Sequence, residues 1–176
     1  TFVFSKPVFG TSNDIVIADP DSVPIVPDAF SGWGTDTLVM HITTALSKDG
    51  LYTVTLRGTA AIQDEYGMPL NGGSDTVVTF QLDTTAPVAV GSSLYTPDNT
   101  PELFGGIDDP DAAVEVTVAG RTYVAMNNRD GTWTLPNDTI NPPLEEGSYD
   151  VEITATDLAG NVETEKGRGH LVVYRP

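Results

Sequence analysis

The residues of this chain that could do chemistry are mostly carboxylates: 25 Asp and Glu stand against 8 Lys and Arg, a formal charge of −17 over 176 residues. They gather in short runs, Asp108-Asp109-Pro110-Asp111, Asn127-Asn128-Arg129-Asp130 and Asp157-Leu158-Ala159-Gly160-Asn161, with Asp83 further upstream. Two such charges ~4 Å apart repel by about 1 kcal/mol in water and about 4 at an effective dielectric of 20. Crowded carboxylates must therefore splay or take up a counter-charge. Calcium accepts roughly six to eight oxygens in tolerant geometry, which suits ligands drawn from separate loops better than the strict octahedron of magnesium. The alternative reading is structural, since Asp and Asn close turns and tolerate unusual backbone angles.

Other chemistry finds little to work with. The histidines are His41 and His170, one in each half of the chain, and no Gly-x-Ser-x-Gly elbow or His-Glu-x-x-His motif occurs. His41 alternates with apolar neighbours in Leu38-Val39-Met40-His41-Ile42 and is expected to face solvent, while His170 is expected at the edge of the last strand. Paired acids could run a glycosidase, but these fall in turns rather than in a cleft. No enzyme is expected. With no cysteine, disulfides, iron–sulfur clusters and thiolate zinc are excluded. So acidic a surface repels nucleic acid and anionic lipid, and no apolar run approaches the ~20 residues of a helical membrane span.

The elements that must hold these loops are strands. Apolar and polar residues alternate in Tyr52-Thr53-Val54-Thr55-Leu56, in Val114-Glu115-Val116-Thr117-Val118 and in Tyr149 to Thr156, the period of a pleated strand with one buried face. Gly 17 and Pro 13 supply many turns, among them Asp49-Gly50, Asn71-Gly72-Gly73, Asp130-Gly131 and Glu146-Gly147. The fold expected is all-β with the strand spacing of sandwiches. Asp49-Gly50-Leu51-Tyr52-Thr53-Val54-Thr55-Leu56 recurs 97 residues later as Glu146-Gly147-Ser148-Tyr149-Asp150-Val151-Glu152-Ile153, and each copy is followed by Asp-x-x-Gly, at Asp64 to Gly67 and Asp157 to Gly160. A sandwich-sized repeat implies two domains. The segment Asp83-Thr84-Thr85-Ala86-Pro87-Val88 divides them into 1–85, net −7, and 86–176, net −10.

In a sandwich of consecutive strands, loops alternate between the two ends. With strands near 88–94, 102–107, 113–119, 121–127, 132–136, 148–156 and 168–174, the loops at 108–111, 127–130 and 157–161 share the end where the linker enters. Asp19, Asp21 and Asp49 are expected at the facing end of the first domain, partly offset by Lys48 and Arg129. The expected calcium ligands are Asp83, Asp109, Asp130 and Asp157, followed by Asp108, Asp111 and Asn161. Asp14, Asp36 and Asp64 mark a second possible site at the far end of the first domain. Trp133 is expected in the core of the second domain. Trp33, between glycines in a loop, could instead stack on a sugar, although it, Tyr95 and Tyr174 are too scattered in sequence for an evident platform.

The second half resembles a bacterial Ig-like domain of the kind strung in tandem in large surface adhesins. The likeness lies in Asn99-Thr100-Pro101-Glu102-Leu103-Phe104-Gly105-Gly106, Val114 to Gly120, Asp130-Gly131-Thr132-Trp133, Gly147 to Val151 and Asp157 to Asn161. The first half is similar to the Ig-like domains of S-layer and other bacterial envelope proteins, through Phe4-Ser5-Lys6-Pro7-Val8 as second strand, and through Tyr52 to Leu56 and Asp64-Glu65-Tyr66-Gly67 as sixth strand and following loop. On that alignment its first strand lies outside the sequence, is absent, or is borrowed from a neighbour. The resemblance implies two tandem Greek-key β-sandwiches, a tyrosine corner at Tyr52 and at Tyr149, interdomain calcium, and an extracellular or cell-surface location. It further implies a monomeric spacer whose partners are neighbouring Ig-like domains, with any host-surface or biofilm ligand bound through other domains and no insertion into the membrane. Alternatives are a glycan- or protein-binding module, or accessory domains of a secreted enzyme.

Overall fold

The period-two segments form strands. The structure, a computed structural model, describes residues 1–43, 45–59 and 61–175 and resolves into two compact units, Thr1–Thr84 and Thr85–Pro176. In the first unit the strands are β1 (Phe2–Val8), β2 (Ile15–Ala18), β3 (Pro24–Ile25), β4 (Ala29–Ser31), β5 (Thr35–His41), β6 (Gly50–Leu56) and β7 (Thr76–Leu82). They make a sheet of order β1-β5-β4 and another of order β3-β2-β6-β7. Val8, Ile15, Ile17, Leu38, Val54, Leu56 and Ile62 form the core between them. Tyr52, Val54 and Leu56 point inward from β6 as their alternation requires.

The second unit contains β8 (Ala89–Gly91), β9 (Leu94–Thr96), β10 (Leu103–Ile107), β11 (Ala113–Val118), β12 (Arg121–Asn127), β13 (Thr132–Leu135), β14 (Gly147–Thr156) and β15 (Val162–Val173). Their ladder runs β8-β10-β13-β12-β11-β14-β15-β9. It folds over where β12 leaves β11 and pairs with β13 through Met126 and Asn127 alone. Val114, Val116, Val118, Val151, Ile153 and Ala155 on one side thereby meet Leu103, Ile107, Trp133 and Leu135 on the other. This is an Ig-like sandwich, and the all-β fold read from the sequence is the fold observed.

Two strand boundaries differ from expectation. The strand expected at 88–94 is two pieces in different ladders, β8 antiparallel to β10 and β9 parallel to β15. The last strand begins at Val162 rather than near 168, because Glu163, Glu165 and Gly167 stand opposite Ala155, Ile153 and Val151 and carry no apolar signal. Glu165 is held there by accepting the Gly91 N–H at 2.8 Å. Near its end β15 bulges: Tyr149 faces Leu171 while Val151 faces Gly167, so Arg168, Gly169 and His170 together oppose Asp150. His170 is thus inside the strand, not at its edge.

Of the expected anchors, Trp133 and Tyr149 take the roles read for them, while among the described residues the Tyr52 hydroxyl makes no tyrosine-corner bond. Trp133 is buried and donates its indole N–H to the Val90 carbonyl at 3.0 Å. Tyr149 makes the tyrosine corner, its hydroxyl donating to the Glu145 carbonyl at 2.9 Å. Tyr52 is buried as well, stacked on Phe80 with ring centroids 5.1 Å apart.

Candidate functional site

Strands β10, β12 and β14 run toward the same end of the second unit, so the loops that follow them gather there beside residues 85–88, which lead into β8. Hydrogen bonds tie these loops together. Asp108 accepts the Val88 N–H at 2.7 Å and returns its own N–H to the Val88 carbonyl. Asn127 donates to the carbonyls of Asp109 and Ala112 at 2.8 and 2.9 Å. Arg129 pairs with Asp111 at 3.2 Å, and Asn161 reaches the Thr85 carbonyl at 3.5 Å. The fastening by Asn127 escaped the sequence reading, because a half-buried amide at a strand end looks like any other turn residue.

Three of the carboxylates at this end serve their own loops. Asp109 accepts the Asp111 N–H at 2.8 Å, and Asp130 accepts both the N–H and the hydroxyl of Thr132. Asp157 takes the Asn161 N–H on Oδ1 and its side-chain amide on Oδ2, both at 2.8 Å. These bonds favour the ionised form, the Asn161 side chain most of all, and hold the Asp157 carboxyl below its usual range. Of the expected ligands, Asp108, Asp109, Asp111, Asp130, Asp157 and Asn161 therefore lie at one end of the second unit, while Asp83 follows β7 in the first. Among the described residues no three His, Asp or Glu side chains converge as a metal site.

The first unit shows the same habit. Asp64 accepts the N–H groups of Tyr66 and Met68 at 2.9 Å each and pairs with Lys6 at 3.4 Å. Its carboxyl is lowered, chiefly by the Met68 N–H. The repeated Asp-x-x-Gly is one turn built twice: Gly67 N–H donates to the Asp64 carbonyl and Gly160 N–H to that of Asp157, while Asp64 N–H and Asp157 N–H donate to the carbonyls of Met68 and Asn161. Both glycines take positive φ, 78° and 92°. Asp19 receives the N–H groups of Asp21 and Val23, with Lys48 contacting both Asp19 and Asp21. Asp49 binds Thr84 through N–H and hydroxyl, Asp14 binds Thr11 in the same way, and Asp36 accepts the Thr37 hydroxyl.

Among the described residues neither histidine is hydrogen-bonded to a carboxylate. His41 is exposed, as expected, with Nε2 3.0 Å from the Ser31 hydroxyl. His170 has its Nδ1 buried with no hydrogen-bond partner among the described residues. Trp33 packs on Phe30 at 6.3 Å and on the edge of the first core. Tyr95 and Tyr174, apart in sequence, are brought face to face at 4.5 Å by the parallel pairing of β9 with β15.

Residues 75–173, which run from the start of β7 through nearly the whole second unit, match the family model described as bacterial Ig-like domain. The chain belongs to this family. No curated protein matches it. Among solved structures the Ig-like chain is similar to that titled "Bacteroides ovatus mixed-linkage glucan utilization locus (MLGUL) SGBP-B in complex with mixed-linkage heptasaccharide", at 17% identity and a TM-score of 0.35. The match takes in 99% of this chain and 43% of that one, so the chain spans less than half the length of that protein. Among the described residues no helix is long and apolar enough to cross a membrane.

Proposed function

We propose that these residues are a non-catalytic spacer of a bacterial surface or secreted protein, a tandem pair of Ig-like modules that sets distance for a binding domain elsewhere. One observation carries this reading: the carboxylates of the repeated turns hold their own loops, as Asp157 and Asp64 do in turns of the same form. Modules of this kind contact mainly their neighbours, so stiffness is decided in the linkers. Small-angle scattering of the whole chain tests it. A spacer gives an extended profile that does not change with concentration.

Calcium belongs to the same proposal. Its support is the density of acidic loops at the linker end of the second unit, in a chain of charge −17, together with calcium's tolerance of ligands from separate loops. The described residues gather no ready-made ligand set, so the decision rests on titration. Calorimetry with calcium on the wild type and on Asp83→Asn, Asp130→Asn and Asp157→Asn is expected to show binding weakened in the variants. Absence of binding to the wild type would leave a spacer without metal.

A second reading, a glycan-binding module, is favoured by the stacked Tyr95 and Tyr174, with Tyr95 exposed, since aromatic faces stack on apolar sugar faces. A specific glycan-array signal lost in Tyr95→Ala would select it over the spacer.

A further inference from the structure

His170 is anomalous in its strand. Its Nδ1 is buried and bonds to nothing among the described residues, and a buried polar atom left unbonded is both rare and costly. The bulge in β15 puts it there. Arg168, Gly169 and His170 together oppose Asp150, and an extra residue of this kind re-aims a side chain. Two glycines make the slot for the ring. A Cβ on Gly167 would lie 1.9 Å from Nδ1, so the imidazole fills the space that a side chain at 167 would need. A Cβ on Gly91 would lie 3.5 Å from the same nitrogen and 3.6 Å from Oε2 of Glu165. Imidazole and carboxylate thus converge on the gap beside Gly91, where Glu165 Oε2 accepts the Gly91 N–H at 2.8 Å. Gly91 ends β8, and three residues later the chain resumes as β9 in the other ladder. One carboxylate pins that crossover.

We infer that Glu165 and His170 form a proton-operated latch on the crossover from β8 to β9. While Nδ1 carries no proton, ring nitrogen and carboxylate are both acceptors and cannot bond each other. Oε2 then serves Gly91 alone. Protonation turns Nδ1 into a charged donor beside an anion, and a bond between two ionised groups is stronger than one from a neutral amide. Both donors call on the carboxylate oxygen at this gap, so Glu165 turns to His170 and releases Gly91. Histidine is the side chain that ordinarily changes charge between pH 5 and 8, and that is the window of the latch. Few other ionisable groups face the ring. Glu163, the preceding inward position on β15, is exposed. Asp150, Glu152, Lys166 and Arg168 line a trough on the outer side of the same sheet. From β14 the inward residues are Val151 and Ile153, with the Tyr149 hydroxyl committed to Glu145. From β8 and β9 the one ionisable side chain is Tyr95, which stacks on Tyr174. The inference is independent of the spacer and glycan readings, since a module of either role could carry it.

The test uses the full chain, with NMR following the His170 ring nitrogens and the Gly91 amide from pH 8 to 5.5, above the ordinary carboxylate range. As the ring takes up its proton, the Gly91 amide proton should move upfield. Its protection from exchange, referred to the unfolded rate at each pH, should fall by about tenfold, as loss of one net hydrogen bond does. Glu165→Gln keeps an acceptor for Gly91 without the charge, and the response should shrink. His170→Phe keeps a ring in the slot without the nitrogen, and the response should vanish. A wild-type Gly91 amide that stays unchanged while the ring titrates overturns the latch, whatever the variants do. So does a ring that takes up no proton in this range, or an equal Gly91 response in His170→Phe.

Discussion

Trp133 donates its indole N–H to the Val90 carbonyl at 3.0 Å, directly over Gly105. A Cβ placed on Gly105 would lie 1.9 Å from that carbonyl oxygen and 2.8 Å from the indole nitrogen. Backbone and ring must both give way. Gly105→Ala should therefore destabilise the second unit by about 1–3 kcal/mol, the usual range for overpacking. Trp133→Ala, which empties the largest buried side chain, should cost about 3–5 kcal/mol. Urea unfolding checks both. Trp33 lies in the first unit and Trp133 in the second, so fluorescence separates their transitions in Gly105→Ala, and Trp33 should respond no differently from wild type. For Trp133→Ala the readout is circular dichroism.

The paired Asp-x-x-Gly turns predict matched losses in the two units. Gly67 and Gly160 adopt φ of 78° and 92°, a left-handed region that costs a residue with a Cβ about 1–2 kcal/mol. Gly67→Ala should lower the stability of the first unit by that amount and Gly160→Ala that of the second, with little cross-talk because the two turns lie in separate cores. Asparagine at either position should cost less than alanine, since it tolerates this region. Equal tolerance of alanine and asparagine would show that the turns relax.

The repeat, its turn and the buried tryptophan were all legible from local pattern, because each depends on residues close in sequence or on strict alternation. Three features were not. Glu165 sits on the inward side of β15 opposite Ile153, and only the distant Gly91 N–H explains a carboxylate there. The sheet change between β8 and β9 leaves no mark in Gly91-Ser92-Ser93-Leu94, since both halves read as short strand. Phe80 alternates as a core residue should, yet stays partly open because its cover is a matter of topology rather than composition. At the candidate site, the loops expected to share an end do share it. What the sequence did not convey was how fully Asp109, Asp130 and Asp157 are engaged by their own loops, since that depends on backbone N–H directions within the turn.

Acid should unfold this protein through a few identifiable groups. Asp28, held chiefly by the Thr43 N–H, Asp64, held chiefly by the Met68 N–H, and Asp157, held chiefly by the Asn161 side chain, all have lowered pKa values in the folded chain. In the unfolded chain they titrate near 3.9. Below that pH the unfolded state binds more protons, so the stability they confer is fully present above about pH 4 and drains away as pH falls through the folded values. Urea midpoints in about 0.15 M salt, where self-repulsion is screened, should stay level from pH 7 to about 5 and drop below 4. Replacing all three by Asn should flatten the drop, and an unchanged slope would assign acid unfolding to other carboxylates.

Calcium can act on so acidic a chain in two ways that look alike in a melting curve. Any cation screens the −17 charge, and the Debye length shortens from about 30 Å at 0.01 M salt to about 8 Å at 0.15 M. A bound ion instead stabilises by mass action, with the melting temperature rising with the logarithm of free calcium once the site fills. Raising NaCl should stabilise both units modestly. Submillimolar calcium in 0.15 M NaCl should then raise the melting temperature further if the loops at 108–112, 128–131 and 157–161 hold the ion, and magnesium at equal concentration should do less, given its demand for near-ideal octahedral geometry. The gain should shrink in Asp130→Asn, whose acid lies in that loop cluster, while Asp28→Asn in the first unit, outside every expected calcium site, should leave it unchanged. If calcium, magnesium and extra sodium of equal ionic strength give one common curve, the acidic loops are turn caps in a screened field and hold no specific ion.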